Sequence, residues 1–105
     1  MVFDLETVKA TVKIYADEVR QVMPISKVYL YGSYAKGTPN EHSDVDVCFF
    51  LTYMYDENCI NIMCTLLNLS HKYELWIEPY FFEVSDLETD NPFVKEILRT
   101  GIEIH

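Results

Sequence analysis

The chain is 105 residues long, which is one domain's worth and too short for two. Half of its residues are hydrophobic and 14% are aromatic, which excludes a disordered chain. Its net charge of −9 disfavours direct binding to a nucleic-acid phosphate backbone, and a phosphate-bearing ligand would have to be met by cations or by local N–H donors. The same acidity helps to keep a small protein soluble.

No apolar run approaches the roughly 20 residues needed to span a bilayer. The opening MVFDLETVK carries an acid at Asp4 and lacks the apolar stretch of a secretory signal. The chain therefore reads as soluble and cytoplasmic, with no membrane partner. Cys48, Cys59 and Cys64 form no CxxC pair. They are expected to be buried, reduced thiols rather than zinc ligands.

Taken in chain order, residues 4–23 place Leu5, Val8, Val12, Ala16, Val19 and Met23 at three-four spacing, predicting an amphipathic helix capped by Asp4 and closed by Pro24. Residues 26–31, SKVYLY, predict a strand ending at Gly32. A helical turn from Ser33 to Gly37 follows, then the polar turn TPNEHS. DVDVCFFL, residues 44–51, predicts a second strand. Residues 56–71 carry Ile60, Met63, Cys64, Leu67 and His71 on one face of a further helix. LWIEPYFFEV, residues 75–84, predicts a third strand, with Pro79 arguing for an edge or a bulge. Asn91 caps a last helix with Pro92 in its first turn and Gly101 at its end, and IEI adds a short final strand. This order predicts an α/β (α+β) layer fold, a small mixed sheet flanked by helices.

The chemistry concentrates in GSYAKGTPNEHSDVD, residues 32–46. Asp44 and Asp46 are two apart on a predicted strand, so their side chains share a face. Two carboxylates so placed can jointly hold divalent ions, and their hard oxygens suit magnesium. Like charges on one strand face are costly without a cation. A lone D-x-D fits a solvated strand end equally well. Gly32 and Ser33 shift that balance, because a turn between strand and helix presents N–H groups and a hydroxyl to an anion, and glycine permits close approach. Lys36 either adds a cation near a triphosphate or is an ordinary surface lysine. Ser43 either joins the site or bonds its own turn. His42 reads as a loop histidine, and His71 sits at a helix end.

GSYAKG followed by SDVDV resembles the G-S-x-A-x-G…S-D-x-D motif of the DNA polymerase beta-like nucleotidyltransferases. Within that superfamily the chain is similar to the minimal nucleotidyltransferase (MNT) proteins. The ending NPFVKEILRTGIEI also resembles the MNT tail, so the likeness spans nearly the whole chain as a single domain, residues 1–105. The resemblance implies a magnesium-dependent enzyme, with two ions held by Asp44 and Asp46 and the β- and γ-phosphates of ATP held by Gly32 and Ser33. It also implies a third carboxylate on a later strand, which ligates metal and takes the proton of the incoming hydroxyl. Glu78 in WIEPYFF is the choice for that role, with Glu74 and Glu83 as alternatives. The family more often has aspartate there, and the extra methylene of glutamate moves the carboxylate by about a bond length in a site where magnesium demands near-octahedral geometry.

Larger relatives carry a second, acceptor-binding domain, and MNT proteins pair with HEPN toxins. The resemblance therefore implies an antitoxin that transfers AMP from ATP to a tyrosine of its HEPN-type toxin. Two alternatives stand beside it. One is a catalytically weak module that neutralises its partner by binding alone, and the other is a small-molecule nucleotidyltransferase acting on an antibiotic. Whether the chain forms a homo-oligomer is left open.

Overall fold

The computed structural model describes residues 2–54 and 57–105. Met1 and Asp56, the first residues of the predicted N-terminal reading and of the predicted 56–71 helix, lie outside them. Helix α1 spans Leu5–Arg20. Asp4 caps it by accepting the Thr7 N–H at 2.7 Å, a contact worth about 1 kcal/mol in typical helices. Its buried residues Val8, Val12, Tyr15, Ala16 and Val19 lie on one stripe. The helix ends before Met23 and Pro24, because Gln21 already takes the cap position.

Strand β1, Ile25–Tyr31, leads through Gly32 into α2, Ser33–Lys36, a single turn. Strand β2 covers Val45–Leu51, α3 Cys59–Ser70 and β3 Ile77–Glu83. A 3₁₀ turn, Val84–Glu88, leads to α4, Pro92–Thr100, and to β4, Ile102–Glu103. The 3₁₀ turn is missing from the predicted order. Glu83 and Asp86 cap it reciprocally, which ends the third strand one residue early.

The sheet order is β3-β2-β1-β4. β1 runs antiparallel to β2 and β4, whereas β2 and β3 are parallel and joined through α3. The sheet is mixed, as the order and the proline predict. Pro79 sits on the edge strand β3, where its missing N–H leaves no ladder bond unmade.

Alternation along the strands divides the core. Val28, Leu30, Val45, Val47, Phe49 and Leu51 pack with the buried faces of α1 and α3. Tyr29, Cys48 and Phe50 point the other way and meet Val94 and Ile97 of α4. The buried Tyr15 hydroxyl donates to the Leu66 carbonyl at 2.7 Å, joining α1 to α3. Glu18 accepts from both Lys72 and Tyr73, tying α1 to the loop beyond α3.

Two expectations about α3 change. Cys59 and Cys64 are exposed, and only Cys48 is a buried thiol. The face bearing Ile60, Cys64, Leu67 and His71 is turned to solvent, while Ile62, Leu66 and Ser70 are buried. In CINIMCTLLNLS apolar residues stand on nearly every side, so periodicity alone cannot select the inner face.

Candidate active site

The site is a row across the ends of three strands. Asp46 on β2 stands opposite Tyr31 on β1 and opposite Glu78 on β3. Directly paired residues project to the same side of a sheet, with strands about 4.8 Å apart. The row therefore opens on the face that carries α4. Asp44 immediately precedes β2, two residues from Asp46, and its carboxyl is within hydrogen-bonding reach of Glu78. Asp44, Asp46 and Glu78 are thus brought together. Glu74 lines a groove beside β3 that Glu78 also borders, and Glu83 caps the 3₁₀ turn and accepts the Met54 N–H.

Crowding of these carboxyls shows in their acidity. Partial burial, reinforced by the charges of Glu78 and Asp44, pushes Asp46 up to about 6. Glu78 is raised as well, by desolvation and by its hydrogen bond with Asp44. Among the described residues none of the ion pairs involves these three acids. Three oxygen-donor carboxyls without a basic partner match the preference of a hard divalent cation. They are not closed into a finished shell, since no three potential ligands among the described residues already surround one point. Glu78 stands within hydrogen-bonding reach of both aspartates.

Gly32 forms the wall beside Asp46. Its φ of +76° and ψ of −155° belong to a region that only glycine adopts readily. A Cβ built on it would collide with the Asp46 Oδ2 and lie 3.2 Å from Cγ. Ser33 opens α2, whose Tyr34 is buried and accepts the Phe3 N–H with its hydroxyl at 3.3 Å. This bond ties the turn to the segment that precedes α1. Gly37, at φ +76°, takes the left-handed conformation that ends α2.

Lys36 points toward α4, with its Nζ 3.6 Å from Glu96. The Ser43 hydroxyl accepts the Asn40 N–H at 2.8 Å within its turn. The structure thus places Lys36 and Ser43 outside the row of acids. His42 is exposed in the same loop.

Sequence reasoning passed over Tyr31. Its hydroxyl is buried without a hydrogen-bond partner among the described residues. Its ring sits edge-on to Phe93 with centroids 5.7 Å apart. Burial and the neighbouring Asp46 carboxylate hold the phenol's pKa far above its ordinary value. The signal was present in the sequence, since Tyr31 immediately precedes Gly32, but it reads there as one more strand aromatic.

The family model for polymerase beta-type nucleotidyltransferases matches residues 13–105. The chain is a nucleotidyltransferase domain of that family. Solved structures agree in fold. A Sulfolobus solfataricus protein assigned as a nucleotidyltransferase aligns with a TM-score of 0.69 at 17% identity, over 94% of this chain and 80% of the other. A toxin–antitoxin structure named MntA-HpeT, a mutant form, aligns at 0.64 with 13% identity, over 92% and 72%. A toxin–antitoxin structure with AMP-PNP aligns at 0.62 with 18% identity, over 89% and 70%. No curated protein sequence matches the chain significantly. At these identities the structural likeness speaks for the fold. In the nucleotidyltransferase domain, the motif glycine and the acids meet at one end of the sheet.

Proposed function

We propose that this nucleotidyltransferase domain, one unit over residues 1–105, transfers AMP from ATP to a hydroxyl of a partner protein. We further propose that it serves in the cytoplasm as the antitoxin of a toxin–antitoxin pair whose toxin is of the HEPN type. The observation that carries the reading is the contact between Gly32 and Asp46 in a row completed by Asp44 and Glu78. The toxin–antitoxin neighbours support the choice of partner. No helix among the described residues is long and apolar enough to cross a membrane.

In this reading Asp44, Asp46 and Glu78 hold magnesium. Bound cations would neutralise charge on the triphosphate and on the departing pyrophosphate. Gly32, lacking a side chain, lets the phosphates approach the strand end, and Ser33 bonds them from the turn. Lys36 and Ser43 stand at the rim of the nucleotide. Glu78 takes the proton of the acceptor hydroxyl. The hydroxyl oxygen bonds to the α-phosphorus as the bond to pyrophosphate breaks, in line and opposite the attack.

A second reading, neutralisation by binding alone, draws on Glu78, a residue with one methylene more than the aspartate usual in the family. One experiment separates the two. The purified chain is mixed with its partner, ATP and magnesium, and the intact mass of the partner is measured. Transfer adds the mass of AMP to the partner, and Asp44→Ala/Asp46→Ala abolishes the gain. A complex that forms without any mass change leaves only the binding reading standing.

A further inference from the structure

On the sheet face that carries the acids, aromatic rings lie next to their row. Tyr80 follows Glu78 by two residues on β3, about 6.6–6.8 Å along the strand, and projects to the same side. Phe93, from the first turn of α4, stands against it with ring centroids 5.9 Å apart and planes tilted by 60°. Both side chains are exposed, at 42% and 43%. Tyr31 completes the group. Its ring meets Phe93 edge-on and lies 6.5 Å from that of Tyr80.

The Tyr31 hydroxyl is the anomaly in this group. It is enclosed without a partner among the described residues, and the groups that act on it are Asp46, Cys48, Tyr80 and Glu78. A buried hydroxyl left unmet costs stability, and phenylalanine would fill the same space without that cost. An occupant that joins a polar group to an aromatic face would meet both the hydroxyl and the rings. An apolar helix offers side chains for the rings and leaves the hydroxyl unmet, whereas inorganic phosphate does the reverse. A nucleoside offers both, through its sugar and its base.

We infer that Tyr31, Tyr80 and Phe93 form the nucleoside seat of this site, with the base held by the Tyr80 and Phe93 rings and the sugar hydrogen-bonded by the Tyr31 hydroxyl. This rests on the nucleotide reading above and adds which residues hold the uncharged half of the nucleotide. The seat is continuous with the row of acids. Tyr31 pairs with Asp46 across β1 and β2, and Tyr80 is the next residue beyond Glu78 on that face. A nucleotide whose phosphates meet Gly32 and the acids therefore lays its nucleoside on the neighbouring rings. Seating the sugar needs a turn of the Tyr80 or Phe93 ring, a rotamer change that exposed side chains make quickly. Trp76, on the other flank of Glu78, is also exposed, but no ring among the described residues pairs with it.

Inorganic tripolyphosphate carries the phosphates of the nucleotide and no nucleoside, so it separates the two halves of the site. The full chain is titrated calorimetrically with magnesium and either tripolyphosphate or a non-hydrolysable ATP analogue. The wild type should bind the analogue at least about fivefold more tightly. Tyr80→Ala should lower affinity for the analogue at least about fivefold and leave that for tripolyphosphate unchanged. Tyr31→Phe should weaken the analogue alone by about threefold. If Tyr80→Ala weakens both ligands alike, Phe93→Leu decides, because it keeps the apolar volume and loses only the aromatic face. Loss of the analogue alone in that variant supports the seat, and no selective loss overturns it. Equal affinity of the wild type for the two ligands would overturn the inference. So would wild-type affinity for the analogue in Tyr80→Ala or in Tyr31→Phe, which would leave the rings to the acceptor. A selective loss found only in Trp76→Ala would put the base on the other flank of Glu78 and also overturn it. Failure of the underlying site reading looks different, since the wild type would then bind neither ligand with magnesium.

Discussion

The backbone of Gly32 lies against the carboxylate of Asp46 so closely that a methyl group cannot be placed between them. Two motifs eleven or more residues apart in sequence are therefore halves of one surface. Gly32→Ala must either displace the carboxylate or move the turn, and it also forces alanine into a conformation of positive φ. The expected loss is about 1–3 kcal/mol of stability, together with most of the transfer activity. Thermal melting and a transfer assay on the same preparation check both. Wild-type values in each would show that the contact is not needed.

The repulsion among the acids predicts a pH dependence. Asp46 titrates at about 6 in the folded chain against an ordinary 3.8, so the native state binds more protons than the unfolded chain between these values. Without added cations this group makes stability fall as pH rises from about 4 to 6, with little further change above. Asp46→Asn should remove that slope and raise the melting temperature at pH 7.5. Because the carboxylate is half exposed, the gain is about 1 kcal/mol, or about 4–8 °C. An unchanged slope in the variant would assign the effect to another group.

Tyr31 supplies a different kind of test. Its buried hydroxyl lacks a hydrogen-bond partner among the described residues, so Tyr31→Phe removes an unmet polar group and keeps the ring between Tyr80 and Phe93. Stability should stay level or rise by up to about 1 kcal/mol, as denaturant unfolding would show. A loss above that would mean that the hydroxyl has a partner in solution.

The three thiols should divide by environment. Cys48 is buried and pushed up to about 12 by its burial, whereas Cys59 and Cys64 are exposed. A thiol reagent should modify two cysteines rapidly in the native chain and the third only on unfolding. Mass spectrometry after brief labelling identifies them.

The outcome for the cysteines also marks where the sequence was legible. Asp4, Asn91 and Pro92 act locally through the first turns of their helices, and the structure bears out both caps. The mixed sheet follows from the order of elements and from Pro79. The two motifs could be read because glycine and paired aspartates have few other uses together. Glu78 was singled out over Glu74 and Glu83 through the family resemblance, and no local pattern encodes its place opposite Asp46, which depends on the register of β2 against β3. The inner face of α3 was illegible for the opposite reason, an excess of apolar residues. Tyr31 was overlooked because a strand tyrosine becomes unusual only once the environment of its hydroxyl is known.

We propose that Asp44, Asp46 and Glu78 act together as one cation site for a bound nucleotide. The decisive experiment is isothermal titration of the full chain with magnesium and a non-hydrolysable ATP analogue. Saturable binding by the wild type that weakens at least about tenfold in Asp46→Asn and in Glu78→Gln is the predicted result. Equal affinity in all three proteins would contradict it.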